Sequence, residues 1–266
     1  MDFAARLALS IFVARRSLRL TTALAVVFLS GGGVLQAQER GWGDTWTHLR
    51  SDRDRQRQDA LHQIAREVQE KKYAEAETHL DALVRQAPEK VDVRMMRAAV
   101  HAVMHRYDAA LQDCAEAITL LQNQEPRALG EIYLHRAEIY NVMGKPGASR
   151  ADLERAVRTD KSNAQFNNAL AWLLATSPDE AVRDSQLALR YAQTANRLSG
   201  GHDPTVLDTL AAAEAAAGDF DVAAKHEREA LGAAKGNKLH GGDKRLGLYE
   251  KHHPYREIAS ENFSSE

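Results

Sequence analysis

The sequence predicts an all-α fold, a solenoid of about five stacked helical hairpins closed by a capping helix at the C-terminal end. Three observations carry that prediction. A turn signature recurs: Arg106-Tyr107-Asp108-Ala109-Ala110-Leu111, Gly144-Lys145-Pro146-Gly147-Ala148-Ser149 and Gly218-Asp219-Phe220-Asp221-Val222-Ala223-Ala224, with a fainter copy at Lys72-Tyr73-Ala74-Glu75-Ala76. Tyr73 and Tyr107 stand 34 residues apart, and a fixed period of that length marks stacked helix pairs. Apolar residues follow helical spacing almost throughout the chain after residue 50, with no run that alternates at period two.

The N-terminal stretch comes first in chain order. Arg6, Arg15, Arg16 and Arg19 precede an apolar run from Leu20 to Leu29, then Gly31-Gly32-Gly33 and Val34-Leu35-Gln36-Ala37. That order is the pattern of a secretory signal. The run is shorter than the ~20 residues of a bilayer-spanning helix, so residues 1–37 are expected to leave after Ala37 by an ordinary Sec route. Export to the periplasm or beyond the cell follows from that reading. If the segment were retained, it would tether the chain to the inner membrane. Residues 38–51 are expected to be a linker.

Five hairpins are then assigned at 57–90, 91–126, 127–162, 163–202 and 203–236. In the first, Leu61, Ile64, Ala65 and Val68 face Ala76, Leu80, Leu83 and Val84, and Pro88 ends the pair. In the second, Met95, Ala98, Ala99 and Ala102 face Ala110, Cys114, Ala117, Ile118 and Leu121. Alanine is needed there because helices joined by a tight turn approach closely only where small side chains meet. Tyr133, Ala137 and Tyr140 face Ser149, Leu153, Ala156 and Val157 in the third. The spacing from Tyr107 to Pro146 is five residues longer than the previous one, and the excess is expected in an extended second helix running through Leu121-Gln122-Asn123-Gln124-Glu125-Pro126.

The fourth hairpin is irregular. Its first helix reads Asn167-Asn168-Ala169-Leu170-Ala171-Trp172-Leu173-Leu174-Ala175-Thr176, and Ala188, Ala192, Ala195 and Leu198 mark the second. Ser177-Pro178 between them suits a cap followed by proline at the first helical position, so the insert is expected to start the second helix early. Gly200-Gly201 ends it. The fifth hairpin sets Leu207, Leu210, Ala211 and Ala213 against Ala223, Ala230 and Leu231. Beyond it, residues 237–256 are expected to form a capping helix with a Pro254-Tyr255-Arg256 segment, because a terminal repeat must shield its last apolar face. Residues 257–266 are expected to fray.

Over roughly residues 52–235 the chain resembles the tetratricopeptide repeat (TPR) family, which implies a right-handed superhelix that binds proteins or peptides and is not an enzyme. Asn167-Asn168 with Leu170 to Thr176, Asp203-Pro204 with Leu207 to Ala212, and Leu248-Tyr249 with Pro254-Tyr255-Arg256 look like a recurrent bacterial TPR module. The groove side chains implied are Asp92 and Met95 in the second hairpin, Glu131, Leu134, Glu138 and Asn141 in the third, Asn168 and Trp172 in the fourth, and Asp208 in the fifth. They are acidic or apolar. A carboxylate ligand of the kind held by some TPR adaptors would meet like charge, so the partner is expected to present a basic or apolar segment. Trp172 and Asn168 suit peptide recognition, while the alternative packs Trp172 as core against Pro178 and Val182.

Several classes are disfavoured. The chain carries a formal charge of −2, and residues 1–37 carry four arginines against one acid, which leaves the mature chain at −5; no clustered basic surface suits a nucleic acid. Cys114 is the only cysteine, so no internal disulfide forms, and its place on an apolar stripe reads as a small buried residue. Among 11 histidines, His101 and His105 share a helix face but lack the further ligands zinc prefers. No nucleophile elbow, phosphate loop or metalloprotease motif is present. No cofactor is expected.

Overall fold

A computed structural model describes residues 40–121, 125–234, 239 and 241–258. The expected signal peptide at 1–37, part of the expected extension after Leu121, and the tail from residue 259 lie outside the described residues. Eleven helices and no strand occur among the described residues. They divide into two compact units between Leu120 and Leu121.

The first unit contains α1 (Arg40–Gln69), α2 (Tyr73–Gln86), α3 (Val91–Val103) and α4 (Tyr107–Leu121). Helix α1 begins at Arg40, so the stretch expected to be a linker is helical from there on. Leu61 and Ile64 of α1, Ala76, Leu80, Leu83 and Val84 of α2, and Val93, Met96 and Val100 of α3 form one core. Burying side chains of this size contributes about 1.5–3 kcal/mol each for the larger ones, and it compensates for helices that would be marginal alone. Ala98 and Ala110 are fully buried. So is Cys114, as its place on the apolar stripe requires.

The second unit contains α5 (Pro126–Val142), α6 (Pro146–Thr159), α7 (Ala164–Thr176), α8 (Ser185–Leu198), α9 (Pro204–Ala217), α10 (Phe220–Ala233) and α11 (Gly242–Tyr249). Leu134, Leu153, Phe166, Leu170, Leu174, Ala188, Leu210 and Ala213 share a core that runs across three hairpins. Gly130 marks the closest approach inside it. A Cβ there would stand 2.3 Å from Thr159 Oγ1 and 2.6 Å from Phe166.

One turn geometry closes four hairpins. Lys71, His105, Gly144 and Gly218 each have positive φ two residues before the second helix. The next amide donates to the carbonyl five residues back: Lys72 to Glu67 and Arg106 to His101 at 2.8 Å, Lys145 to Tyr140 at 2.8 Å, and Asp219 to Glu214 at 2.9 Å. This is the Schellman closure, which satisfies carbonyls that the helix end leaves open. It explains why a turn recurs at the same place in each of these hairpins.

Helix α5 has 17 residues against 13 in α3, so added length lies in the first helix of the third hairpin; residues 122–124, on which the expected extension of the helix before it falls, lie outside the described residues. The insert at 177–184 corrects one expectation, since it does not start α8 early. Ser177 is the C-cap of α7, and Asp184 is the N-cap of α8 with its side chain accepting from Leu187 N–H. Val182 anchors the loop in the core, and Arg183 donates to the carbonyls of Ser177 and Pro178 at 3.0 and 3.1 Å.

Candidate functional site

The helices α7, α9 and α11 each contribute one side chain to a shared site in the second unit: Trp172, Asp208 and Arg245. Asp208 and Arg245 are almost fully buried, at 6% and 4% exposure. Arg245 Nε donates to Asp208 Oδ1 at 2.6 Å, and its guanidinium lies 5.4 Å from the centre of the Trp172 ring. Such a cation over an indole face is attracted by the ring quadrupole. Glu227 of α10 is wholly buried behind the pair, with Oε1 3.6 Å from Arg245 Nε. Burial and the neighbouring Asp208 charge push its carboxyl up to about 9, so it is a neutral acid at physiological pH. Burial likewise raises Asp208, with Arg245 opposing. One arginine therefore faces two acids, both held above their ordinary values by burial.

The chain after α11 returns to this site. Phe220 stacks on His252 with centroids 5.3 Å apart. Tyr255 sits 6.0 Å from Trp172 and 5.6 Å from the Arg245 guanidinium. Arg256 Nη1 donates to Ala175 O at 2.8 Å, and the Glu257 amide donates to Thr176 O at 2.8 Å. Trp172 Nε1 donates to the Glu257 carboxylate at 2.8 Å. Ala175 O and Thr176 O belong to the C-terminal turn of α7, where carbonyls have no partner within the helix and a cation is favoured by the helix dipole. An extended triplet thus closes the end of a helix 80 residues earlier in the chain, counted from Ala175 to Tyr255.

The expected groove residues are placed as follows. Trp172 is half-buried and packs against the core cluster that includes Val182 of the insert, as the core alternative has it, and it also meets Tyr255 and Glu257, which neither reading anticipated. Asn168, one turn earlier on α7, is half-buried with its Oδ1 enclosed and unpaired. Asp208 joins the site, but its partner Arg245 removes it as a free acid. Leu134 is a correction: at 1% exposure it lies in the core of the second unit. Glu138 is 3.2 Å from His135 Nδ1, Glu131 is half-buried with its carboxyl pushed up by burial, and Asn141 is half-buried. In the first unit, Met95 is another correction, buried at 7% exposure. Asp92 is half-buried and accepts from Val93 N–H at 3.0 Å.

Sequence reasoning missed Arg245, Glu227 and Glu257. Spacing alone offers no signal for a pair 37 residues apart in sequence such as Asp208 and Arg245. The histidines also find ordinary work. His101 stands 3.2 Å from both Glu77 and Asp113, and His105 contacts Tyr107 OH at 2.7 Å. Among the described residues no group of three or more His, Cys, Asp or Glu is placed to hold a metal ion.

No protein-family model matches the chain, and no curated protein matches it. Solved structures do. A thermophilic TPR protein of Thermus thermophilus superposes with a TM-score of 0.54 at 16% identity, over 73% of this chain and 98% of that one. The MamA protein gives 0.51 at 12% identity, over 67% and 91%. The C-terminal part of a TPR repeat-containing protein from Cytophaga hutchinsonii gives 0.52 at 16% identity, over 71% of each chain. The fold is that of TPR proteins. At these identities the likeness concerns the fold alone.

Proposed function

We propose that the protein is a non-catalytic TPR scaffold that binds a protein or peptide partner in the bacterial envelope. The observation that carries the proposal is the face shared by α7, α9 and α11, which already holds an extended segment through a ring contact, a guanidinium and a backbone amide. A surface able to satisfy an extended chain in this way suits peptide recognition, in which main-chain bonds and a central aromatic anchor supply the affinity. The envelope assignment rests on the signal-like order of charge and apolar residues before Ala37. The tethered alternative is distinguished by mass: loss of residues 1–37 from the native protein rules it out. Affinity capture from the source cells with residues 38–266, paired with Trp172→Ala, tests the binding role. A partner that is lost on the substitution supports the face; capture of nothing specific by either protein removes the scaffold reading.

A further inference from the structure

We infer that the face of α7, α9 and α11 is a recognition site for an extended partner segment bearing an aromatic, an arginine and an acidic residue in succession, and that Tyr255-Arg256-Glu257 is a built-in competitor for it. The inference rests on the scaffold reading above and specifies its ligand. Each of the three positions has a chemically distinct receiver. The aromatic ring meets Trp172 and the Arg245 guanidinium, at 6.0 and 5.6 Å. The arginine meets the open carbonyl of Ala175, and the peptide N–H after it meets that of Thr176. The acid meets the Trp172 indole N–H.

The receivers are anchored by contacts outside the segment: Ala175 and Thr176 belong to α7, where Thr176 Oγ1 donates to Trp172 O at 2.8 Å, and Arg245 of α11 is held by Asp208 at 2.6 Å. The segment itself is held less firmly: Tyr255, Arg256 and Glu257 are only half-buried, and Ile258 just beyond them is 83% exposed. Tyr255 packs with Tyr249 and Leu246 against Ala211, Ala215, Ala223 and Ala224, so the segment shares the covering of the fifth hairpin with α11, and α11 supplies the wholly buried part of it through Tyr249. Because the occupant is on the same chain, its effective concentration is on the order of millimolar, and an outside segment binds weakly until that advantage is removed.

The test uses the mature full-length chain and a fluorescein-labelled peptide reproducing residues 253–258, read by anisotropy. The double substitution Arg256→Ala with Glu257→Ala leaves the Tyr255 side chain and the Glu257 amide unchanged while removing the two side-chain polar contacts that hold the resident segment. We expect it to bind the peptide at least tenfold more tightly than the wild-type chain, and the further substitution Trp172→Ala to abolish that gain. A peptide with its arginine and glutamate replaced by alanine should not bind. If the double variant unfolds, Glu257→Ala alone repeats the comparison with Arg256 retained. Folded variants, judged by circular dichroism, that bind the peptide no better than wild type overturn the inference. A concentration-dependent dimer that forms through exchange of the segment between two copies also overturns it. Failure here leaves the scaffold reading standing if a captured partner survives Trp172→Ala, since that partner then uses another surface.

Discussion

Glu227→Gln isolates the cost of keeping an acid inside the second unit. Glu227 is completely enclosed, beside Asp208 and Arg245, and its proton is retained up to about 9 against an ordinary value of 4.5. Folding therefore keeps a proton that the unfolded chain releases. The contribution is fully present below the unfolded value and falls as pH rises towards the folded one, by about 1.4 kcal/mol for each pH unit crossed. Between about pH 5.5 and about pH 8.5 the loss is about 4 kcal/mol if Glu227 titrates alone, and smaller where Asp208 shares the proton. Glutamine has the shape of the neutral acid and no proton to lose. Urea unfolding at the two pH values, monitored by far-UV circular dichroism, should show wild type losing stability on the alkaline side while the variant loses less. Near pH 5.5 the two proteins should differ by no more than about 1 kcal/mol. Parallel losses in both proteins would mean that Glu227 is ionised in the fold, and the charge assignment at the site would be wrong.

Other outcomes follow from packing and backbone geometry. Ala211, fully buried, should not accept leucine: Ala211→Leu is expected to cost about 1–3 kcal/mol, whereas Glu229→Leu on the exposed side of α10 should leave the thermal midpoint nearly unchanged. Equal effects would refute the repeat register. Gly130→Ala should cost a similar amount, about 1–3 kcal/mol, because the added methyl meets Thr159 and Phe166. Lys71 adopts φ 60°, so Lys71→Gly should stabilise the first hairpin by up to about 1 kcal/mol in denaturant melts; a loss of stability would show that the lysine side chain matters more than its backbone. Cys114 should resist a thiol reagent until the protein unfolds, since the thiol is fully buried.

The hairpin turns are legible in part, and the reason is chemical. Gly144 and Gly218 announce the left-handed position that a Schellman closure needs. Lys71 and His105 occupy the same position without announcing it, and only their spacing to Tyr73 and Tyr107 reveals the turn. The Ser177-Pro178 pair misleads because serine serves at either end of a helix. Burial of Val182 and capping by Asp184 decide the matter, and both depend on tertiary contacts. The five added residues between the second and third hairpins fix a total and not a location, so nothing in the spacing separates a longer α5 from a longer helix before it. For the site, Trp172 and Asp208 are legible as positions on first helices. Their partners are not: Arg245 and Glu257 reach them only because α11 and the following segment fold back across the second unit.

The same geometry explains why so many acids and histidines in this chain are poor guides to chemistry. Across a hairpin with this turn, a residue near the end of the first helix faces one 12 positions later. Glu67 meets His79 at 3.0 Å and Glu214 meets His226 at 2.8 Å, and His101 meets Asp113 at 3.2 Å with the two chemistries reversed. A second pairing joins residues 16 apart: Arg97 to Asp113 and Arg136 to Asp152, both at 2.6 Å. Asp113 and Asp152 are almost fully buried, and each has a second basic neighbour, His101 at 3.2 Å and Arg155 at 2.6 Å, so losing one arginine costs less than the about 3–5 kcal/mol of a buried charge left without compensation. The constraint acts on the pair and leaves the identity at either position free, which is why the sequence repeat is faint where the structural repeat is regular. These pairings occupy Glu67, His79, His101, Glu214 and His226. Polar groups aimed at an extended segment, and away from a hairpin partner, occur on α7 and α11, on the face that the proposed binding role uses.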